Sequence, residues 1–323
     1  MHINKRIAIF LLAGISSVTQ AQSPACTWPG YRGPADNGCS LAKDVPVEWS
    51  DTRNVVWKVT LPGQGWSSPV VCDGQLWVTT SEPIGQELRA IRVDPMNGAI
   101  VNNIKVFDIV KKQEQHPLNS YASPSPVIEP GRLYVHFGAY GTASIDTRSG
   151  KIIWKRNDIL CDHLVGPGSS PIVYKNLLIL TMDGQDVQFT IALDKSSGKT
   201  VWKTPRGLDF STRTHDSQKS FNTPIVAHLN GRDQLISAGP HGVMAYDPMT
   251  GKEIWRVLYQ GYSGSSRPVA ADGVLFVNTG IDLGSLMAIR PEGTGDITAS
   301  AVLWTNKRNL TARSSPLLIN GLL

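Results

Sequence analysis

The sequence predicts an all-β fold, a β-propeller of four-stranded antiparallel blades, and three observations carry that expectation. Two short motifs alternate in constant phase, at about 48 residues per copy. Turn residues separate apolar runs that are too short for helices. No long apolar stripe of 3.6-residue period lies between the motifs, which argues against helical repeats. The first motif is a Ser/Thr-Pro step: Ser68-Pro69, Ser125-Pro126, Ser170-Pro171, Thr223-Pro224 and Ser315-Pro316, with Arg267-Pro268 as a variant. Proline lacks an N–H and suits the first position of a strand. A turn follows at Asp73-Gly74, Pro130-Gly131, Lys175-Asn176, Asp272-Gly273 and Asn320-Gly321, and two residues later than usual at Asn230-Gly231. Asn-Gly and Asp-Gly readily supply the positive φ angles of a two-residue hairpin. Each copy thus reads as the first and second strands of a blade.

The second motif reads Ala-x-Asp-x-x-Ser/Thr-Gly-Lys-x-x-Trp. It is complete from Ala192 to Trp202 and from Ala245 to Trp255, and Ser144 replaces the alanine in the copy that ends at Trp154. Asp94 to Gly98 keeps the turn but has Asn102 where the tryptophan would fall. The aspartate side chain caps the turn, and glycine takes the left-handed position without steric cost. This predicts the hairpin between third and fourth strands, with Trp57, Trp154, Trp202, Trp255 and Trp304 marking the fourth. Four short strands per repeat is the arithmetic of a propeller blade.

Composition agrees with one large folded domain. With 41% hydrophobic and 18% charged residues, the chain has too much apolar surface and too little charge for disorder. Lys5 and Arg6 precede the apolar run 7–15, and Thr19-Gln20-Ala21 offers small residues for cleavage. This is the order of a secretory signal peptide over residues 1–21, cut after Ala21. The apolar run is too short to span a bilayer, and no later segment is long enough for a transmembrane helix. The removed segment carries two basic residues and no acidic one, so most of the formal charge of +5 is ordinary surface charge and does not point to nucleic acid. Export predicts a periplasmic or secreted protein in an oxidising compartment. Of the four cysteines, Cys26 and Cys39 bracket a Gly/Pro-rich stretch and are candidates for a disulfide; the other reading is buried thiols, which suits Cys72 beside Val70 and Val71.

At these motifs the chain resembles the pyrroloquinoline quinone (PQQ)-like β-propeller repeat family. The Ala-x-Asp-x-x-Thr-Gly-x-x-x-Trp element looks like that family's docking motif, which implies a structural blade-docking role for Trp57, Trp154, Trp202, Trp255 and Trp304. The segment Trp28-Pro29-Gly30-Tyr31-Arg32-Gly33-Pro34, with Gly38 and Trp49, is similar to the lead-in of exported bacterial members. On this reading residues 22–54 are a lead-in and residues 55–323 the propeller domain, five blades and the start of a sixth. Family members close with seven or eight blades, so the resemblance implies a truncated propeller.

The family includes quinoprotein alcohol and glucose dehydrogenases, which bind PQQ and calcium on the propeller axis, and non-enzymatic members of the outer-membrane barrel-assembly machinery. No two cysteines are adjacent, as they are beside the cofactor in many quinoprotein alcohol dehydrogenases, and no C-x-x-C-H haem site occurs. The histidines are scattered without metal-ligand spacing, so no metal site is expected. Asp183-Gly184-Gln185-Asp186 could form a calcium loop but reads better as a turn between second and third strands. The residues three positions before each repeating proline should face one mouth of the central channel: Trp66, Ser123, Gly168, Phe221, Ser265 and Arg313. With Arg267 one position before its proline, these make Trp66, Phe221, Arg267 and Arg313 the candidate channel-mouth binding residues. The insertion 209–220, with Arg213, His215, Asp216 and Lys219, is a second candidate contact surface. The expectation is an exported non-catalytic scaffold that needs no cofactor and engages another exported or envelope protein. The alternative is a PQQ- and calcium-dependent dehydrogenase of alcohols or aldose sugars.

Overall fold

A computed structural model of the chain describes residues 26–40, 42–82, 86–281, 284–308, 310 and 313–323. The expected signal peptide lies outside the described residues. Among the described residues, strands form five sheets, and each runs in chain order from an inner to an outer strand. Blade one holds β1 (Val70–Cys72), β2 (Gln75–Glu82), β3 (Glu87–Val93) and β4 (Ile100–Asp108). Blade two holds β5 (Val127–Glu129), β6 (Arg132–His136), β7 (Thr142–Asp146) and β8 (Ile152–Arg156). Blade three holds β9 (Ile172–Tyr174), β10 (Leu177–Asp183), β11 (Gln188–Asp194) and β12 (Thr200–Pro205). Blade four holds β13 (Ile225–Leu229), β14 (Arg232–Gly239), β15 (Gly242–Tyr246) and β16 (Glu253–Leu258).

Blade five starts with β17 (Val269–Ala271), β18 (Val274–Asn278) and β19 (Leu286–Ile289). An insertion then forms β20 (Gly295–Asp296), parallel to the outer edge of β16, and a short helix α1 (Thr298–Ala301), before β21 (Val302–Asn306) completes the blade. The sixth copy of the first motif contributes one bridge, Ile319 to Leu322, across Asn320-Gly321. Each inner strand begins directly after its proline, and four of the turns have a left-handed pair, as at Asp73 (φ 50°) and Gly74 (φ 68°), while Pro130-Gly131 and Lys175-Asn176 have a single left-handed residue, Gly131 and Lys175.

The apolar core lies between blades. One cluster joins Leu88 and Phe107 of blade one to Leu133 and Ile145 of blade two; others join Tyr134 to Leu180, Trp202 to Leu235, and Trp255 to Leu275. The second motif pins these seams from outside. Trp57, Trp154 and Trp202 each donate the indole N–H to the carbonyl one residue after the motif aspartate of the next blade: Pro95 (2.9 Å), Lys195 (3.0 Å) and Pro248 (3.1 Å). The same indoles cover the motif glycines. A Cβ at Gly98, Gly198 or Gly251 would stand 2.5–2.7 Å from indole carbons, so a side chain there would displace the ring. The aspartate holds the turn in shape: Asp194 Oδ1 accepts from the N–H groups of Ser196 (3.1 Å) and Ser197 (2.9 Å) and from both serine hydroxyls. Opposite each tryptophan the partner strand carries a small residue, Ala192 against Trp202 and Ala245 against Trp255, and the register slips by one residue just beyond it.

Three tryptophans depart from the expected scheme. Trp57 docks like the others but lies outside any described strand. Trp255 is fully buried, yet it donates to Gln234 of its own blade (2.7 Å), because the blade-five insertion occupies the place of a docking turn. Trp304 is 43% exposed and packs on Phe276 of its own blade. A separate clamp joins blades three and four. Arg206 is fully buried and makes two bonds to Asp183 (2.6 and 2.7 Å), and it also donates to the carbonyls of Ser237 and Ala238. The turn reading of residues 183–186 is therefore the observed one.

The bridge expected between Cys26 and Cys39 is not formed. Cys26 is bonded to Cys72, and Cys39 is a free thiol. The cause is a backbone pairing: Trp28 and Val71 exchange both N–H···O bonds (3.1 and 2.7 Å), which brings Cys26 beside Cys72 on the inner strand of blade one. From there the lead-in crosses the axis, away from any return to Cys26. Truncating the buried Trp202 to alanine is expected to cost ~3–5 kcal/mol, while the same change at half-exposed Trp304 should cost about 1 kcal/mol. Denaturant unfolding of the two variants checks this; equal losses would remove the seam role assigned to the docked indole.

Candidate functional site

The residue before each repeating proline is part of a hydrogen-bonded ring. Ser68 N–H donates to the Ser125 hydroxyl (2.8 Å), Ser125 N–H to Ser170 (2.9 Å) and Ser170 N–H to Thr223 (3.0 Å). Each hydroxyl thus satisfies the inner-strand backbone of the blade before it. Arg267 interrupts the ring, having no hydroxyl to offer, and its own N–H continues it to Ser315 (2.9 Å). The recurrence of Ser or Thr at this position was the signal for the ring; the proline alone does not explain it.

Above the ring opens a pocket of about 470 Å³. All six residues three positions before the prolines line it: Trp66, Ser123, Gly168, Phe221, Ser265 and Arg313. Ser125, Ser170 and Thr223 lie at its base with buried hydroxyl oxygens. Trp66, 63% exposed, and Leu118, 78% exposed, give the rim an apolar side. Arg267 does not reach this mouth. It is 1% exposed and donates to the Pro224 carbonyl (3.0 and 3.2 Å), to Tyr31 O (2.6 Å) and to Asp36 Oδ1 (2.7 Å). The channel-mouth expectation for Arg267 is corrected on that ground: its guanidinium turns to the lead-in because Asp36 and two carbonyls meet it there.

The insertion 209–220 contributes to the same pocket through Asp216 and Lys219, from a short 3₁₀ turn over His215–Gln218. Lys219 is buried and paired with the Asp216 carboxylate. Asn119 is fully committed to the loop that forms the pocket wall: its amide donates to Val165 O (2.8 Å) and Pro167 O (3.3 Å), and its oxygen accepts from Ser120 N–H and the Ser123 hydroxyl. His116 faces the pocket with Nδ1 accepting from Leu118 N–H (3.1 Å). The site therefore offers hydroxyl donors, an exposed guanidinium at Arg313, an indole face and one carboxylate that is already ion-paired.

This donor set does not fit calcium. A calcium ion takes six to eight oxygens, usually including several carboxylates; among the described residues, Asp216 is the one carboxylate that lines the pocket. Among the described residues, no three His, Cys, Asp or Glu side chains gather to hold a metal. The lower face is closed by the lead-in, with Tyr31 lining the floor of the axial pocket.

Two buried histidines lie away from the axis. His136 bonds Thr142 through Nδ1 (2.8 Å), and His163 Nε2 accepts from Ala139 N–H (3.1 Å). Burial pushes the pKa of His136 down to about 3, helped by the neighbouring His163, and that of His163 down to about 4.

Fold and site together define a β-propeller with an axial pocket. The family model described as outer membrane protein assembly factor BamB matches residues 43–158 and 188–321, and the chain belongs to that family of PQQ-repeat propellers. Over 160 residues the chain is 31% identical to the 1-butanol dehydrogenase (quinone) of Thauera butanivorans, a match covering 42% of this chain and 24% of that one. The quinohemoprotein alcohol dehydrogenase of Comamonas testosteroni superposes with a TM-score of 0.62 at 14% identity, covering 90% of this chain and 50% of that one. The quinohemoprotein alcohol dehydrogenase ADHIIG of Pseudomonas putida HK5 superposes with a TM-score of 0.54 at 15% identity, covering 87% and 48%. These superpositions show the shared fold, and the chain spans about half the length of those dehydrogenases.

The histidine environments set a pH dependence. An unfolded histidine takes up its proton near pH 6.5, whereas folded His163 and His136 resist until about 4 and about 3. Their contribution is fully present above pH 6.5 and is lost as the pH falls toward those values. Melts between pH 6.5 and 5 should show a falling Tm, and His136→Asn should flatten the slope; a level Tm in the wild-type chain over that window contradicts the assignment.

Proposed function

We propose that the chain is an exported, non-catalytic propeller that serves as a binding or assembly scaffold, with the axial pocket as the docking point for a segment of another envelope protein. The observation that carries this reading is the composition of the pocket. Among the described residues, its one carboxylate is held by Lys219, its floor carries serine and threonine hydroxyls, and its rim presents Trp66, Leu118 and Phe221. Such a lining recognises carbonyl and carboxylate oxygens along an extended chain and packs its side chains on aromatic faces, and among the described residues its one carboxylate is already ion-paired. The family match to an assembly factor supports the same reading. So does the placement of six loop residues from successive repeats around one opening, since loops carried on a rigid frame are where binding residues concentrate.

The alternative, a PQQ- and calcium-dependent dehydrogenase of alcohols or aldose sugars, is favoured by the 31% identity to a quinone-dependent alcohol dehydrogenase. Two measurements separate the readings. A photo-crosslinking residue at Trp66 should capture a defined envelope protein in the native host, and Arg313→Glu should weaken that capture at least tenfold, while the same probe at Met249, on an outer turn, captures none. Saturable dye reduction after addition of PQQ and Ca²⁺ to the purified chain, with an alcohol or aldose, would overturn the scaffold reading.

A further inference from the structure

The lead-in is fastened at its two ends by different means. At its start the Cys26–Cys72 bond and the Trp28–Val71 pairing tie it to blade one, and Ile128 N–H donates to Pro29 O (2.8 Å) to tie it to blade two. At its far end Arg267 of blade five holds Tyr31 O and Asp36, and Arg32 donates to Pro316 O (2.8 Å). In between, the Trp28 indole lies on Gly33 (φ 78°), where a Cβ would stand 2.7 Å from the ring; this repeats within the lead-in the contact that closes the outer seams. Tyr31 lines the axial pocket on one side and, with Arg267, a smaller pocket on the other.

The seam that the lead-in crosses has a weak outer end. Gly150 in the blade-two turn stands where its counterparts are covered by indoles at 2.5–2.7 Å. Here the nearest atoms are Ile104 Cδ1 at 3.4 Å and Asn102 Nδ2 at 3.5 Å. The one motif copy that lost its tryptophan is thus the one whose inner strands share a disulfide-anchored strap.

We infer that residues 26–38 form a redox-fastened clasp. The Cys26–Cys72 bond holds the floor of the axial pocket in place, and it secures at the inner end of the first seam what a tryptophan at position 102 would secure at the outer end. The inference rests on the axial pocket being the docking point only where it bears on ligand access; the clasp itself is a property of this chain alone. A dithiol is the reactant that opens it. One thiolate attacks the half-buried Cys26 sulfur, the bond to Cys72 breaks, and the Cys72 sulfur leaves and takes a proton. The second thiolate of the reagent then displaces Cys26, which also takes a proton, and the reagent ends as a cyclic disulfide after giving up two electrons.

The test compares the oxidised full-length chain with the same chain in dithiothreitol, by hydrogen exchange and by tryptic cleavage after Arg32. Reduction should raise exchange across residues 27–38 and cleavage at Arg32 at least tenfold, while the amides of β11 and β15 keep their protection. Unchanged exchange in 27–38 overturns the clasp, and so does an equal rise in β11 and β15, which would make the bond a general staple. In a chain carrying Asn102→Trp, the Tm loss caused by reduction should fall to less than half; an undiminished loss overturns the compensation between the two ends of the seam. None of these readouts involves a partner. A clasp response with no crosslink at Trp66 would therefore fail the scaffold reading and leave the clasp standing.

Discussion

The propeller's outer seams depend on an indole set against a glycine of the neighbouring blade, a contact that Trp57, Trp154 and Trp202 make. A four-stranded blade cannot bury both faces by itself, and stacking against the next one is what creates its core. The glycine is required because its turn takes a left-handed backbone and because a side chain would occupy the space of the ring. The carbonyl that receives the indole N–H is freed by the same turn, whose aspartate takes up the adjacent N–H groups. Turn shape, ring contact and polar satisfaction are therefore one requirement. This explains why aspartate, glycine and tryptophan travel together through the sequence.

The hydroxyl ring does for the axis what the indoles do for the rim. An inner strand that starts at a proline leaves the preceding N–H pointing toward the next blade, where an unpaired donor would be costly once buried. A serine or threonine at that place in the following blade answers it. Because each oxygen accepts from backbone, the hydroxyls of Ser125, Ser170 and Thr223 come to line the base of the pocket as a by-product of joining the blades. Binding character here follows from how the blades are joined as much as from the loops.

The repeat made most of the fold legible. Proline-led inner strands, left-handed turns and motif tryptophans all follow from residues within a dozen positions of one another. The ring of six residues at the pocket was legible for the same reason, as a fixed offset from a repeating proline. What could not be read were contacts made across the axis. Cys26 pairs with Cys72 because a backbone bridge between Trp28 and Val71 aligns them, and nothing in the spacing of the cysteines encodes that bridge. Arg267 looked like a mouth residue because it precedes a proline, but its partners Tyr31 and Asp36 lie more than 230 positions away. Trp255 escaped the docking rule because the residues between β19 and β21 were not recognisable as an insertion that replaces a turn.

The two ends of the lead-in strap also differ in when they can form. Cys26 and Cys72 are 46 residues apart, so their link needs only the first hairpin to have emerged from a ribosome or a translocation pore. The contacts of Tyr31 with Arg267 and of Arg32 with Pro316 span 236 and 284 positions, and must wait until blade five and the sixth proline step have been made. Blade one is therefore committed to its strap early, and the strap then waits as a ready-made landing place for blade five and the sixth proline step. Order of synthesis, in such a molecule, is also order of assembly.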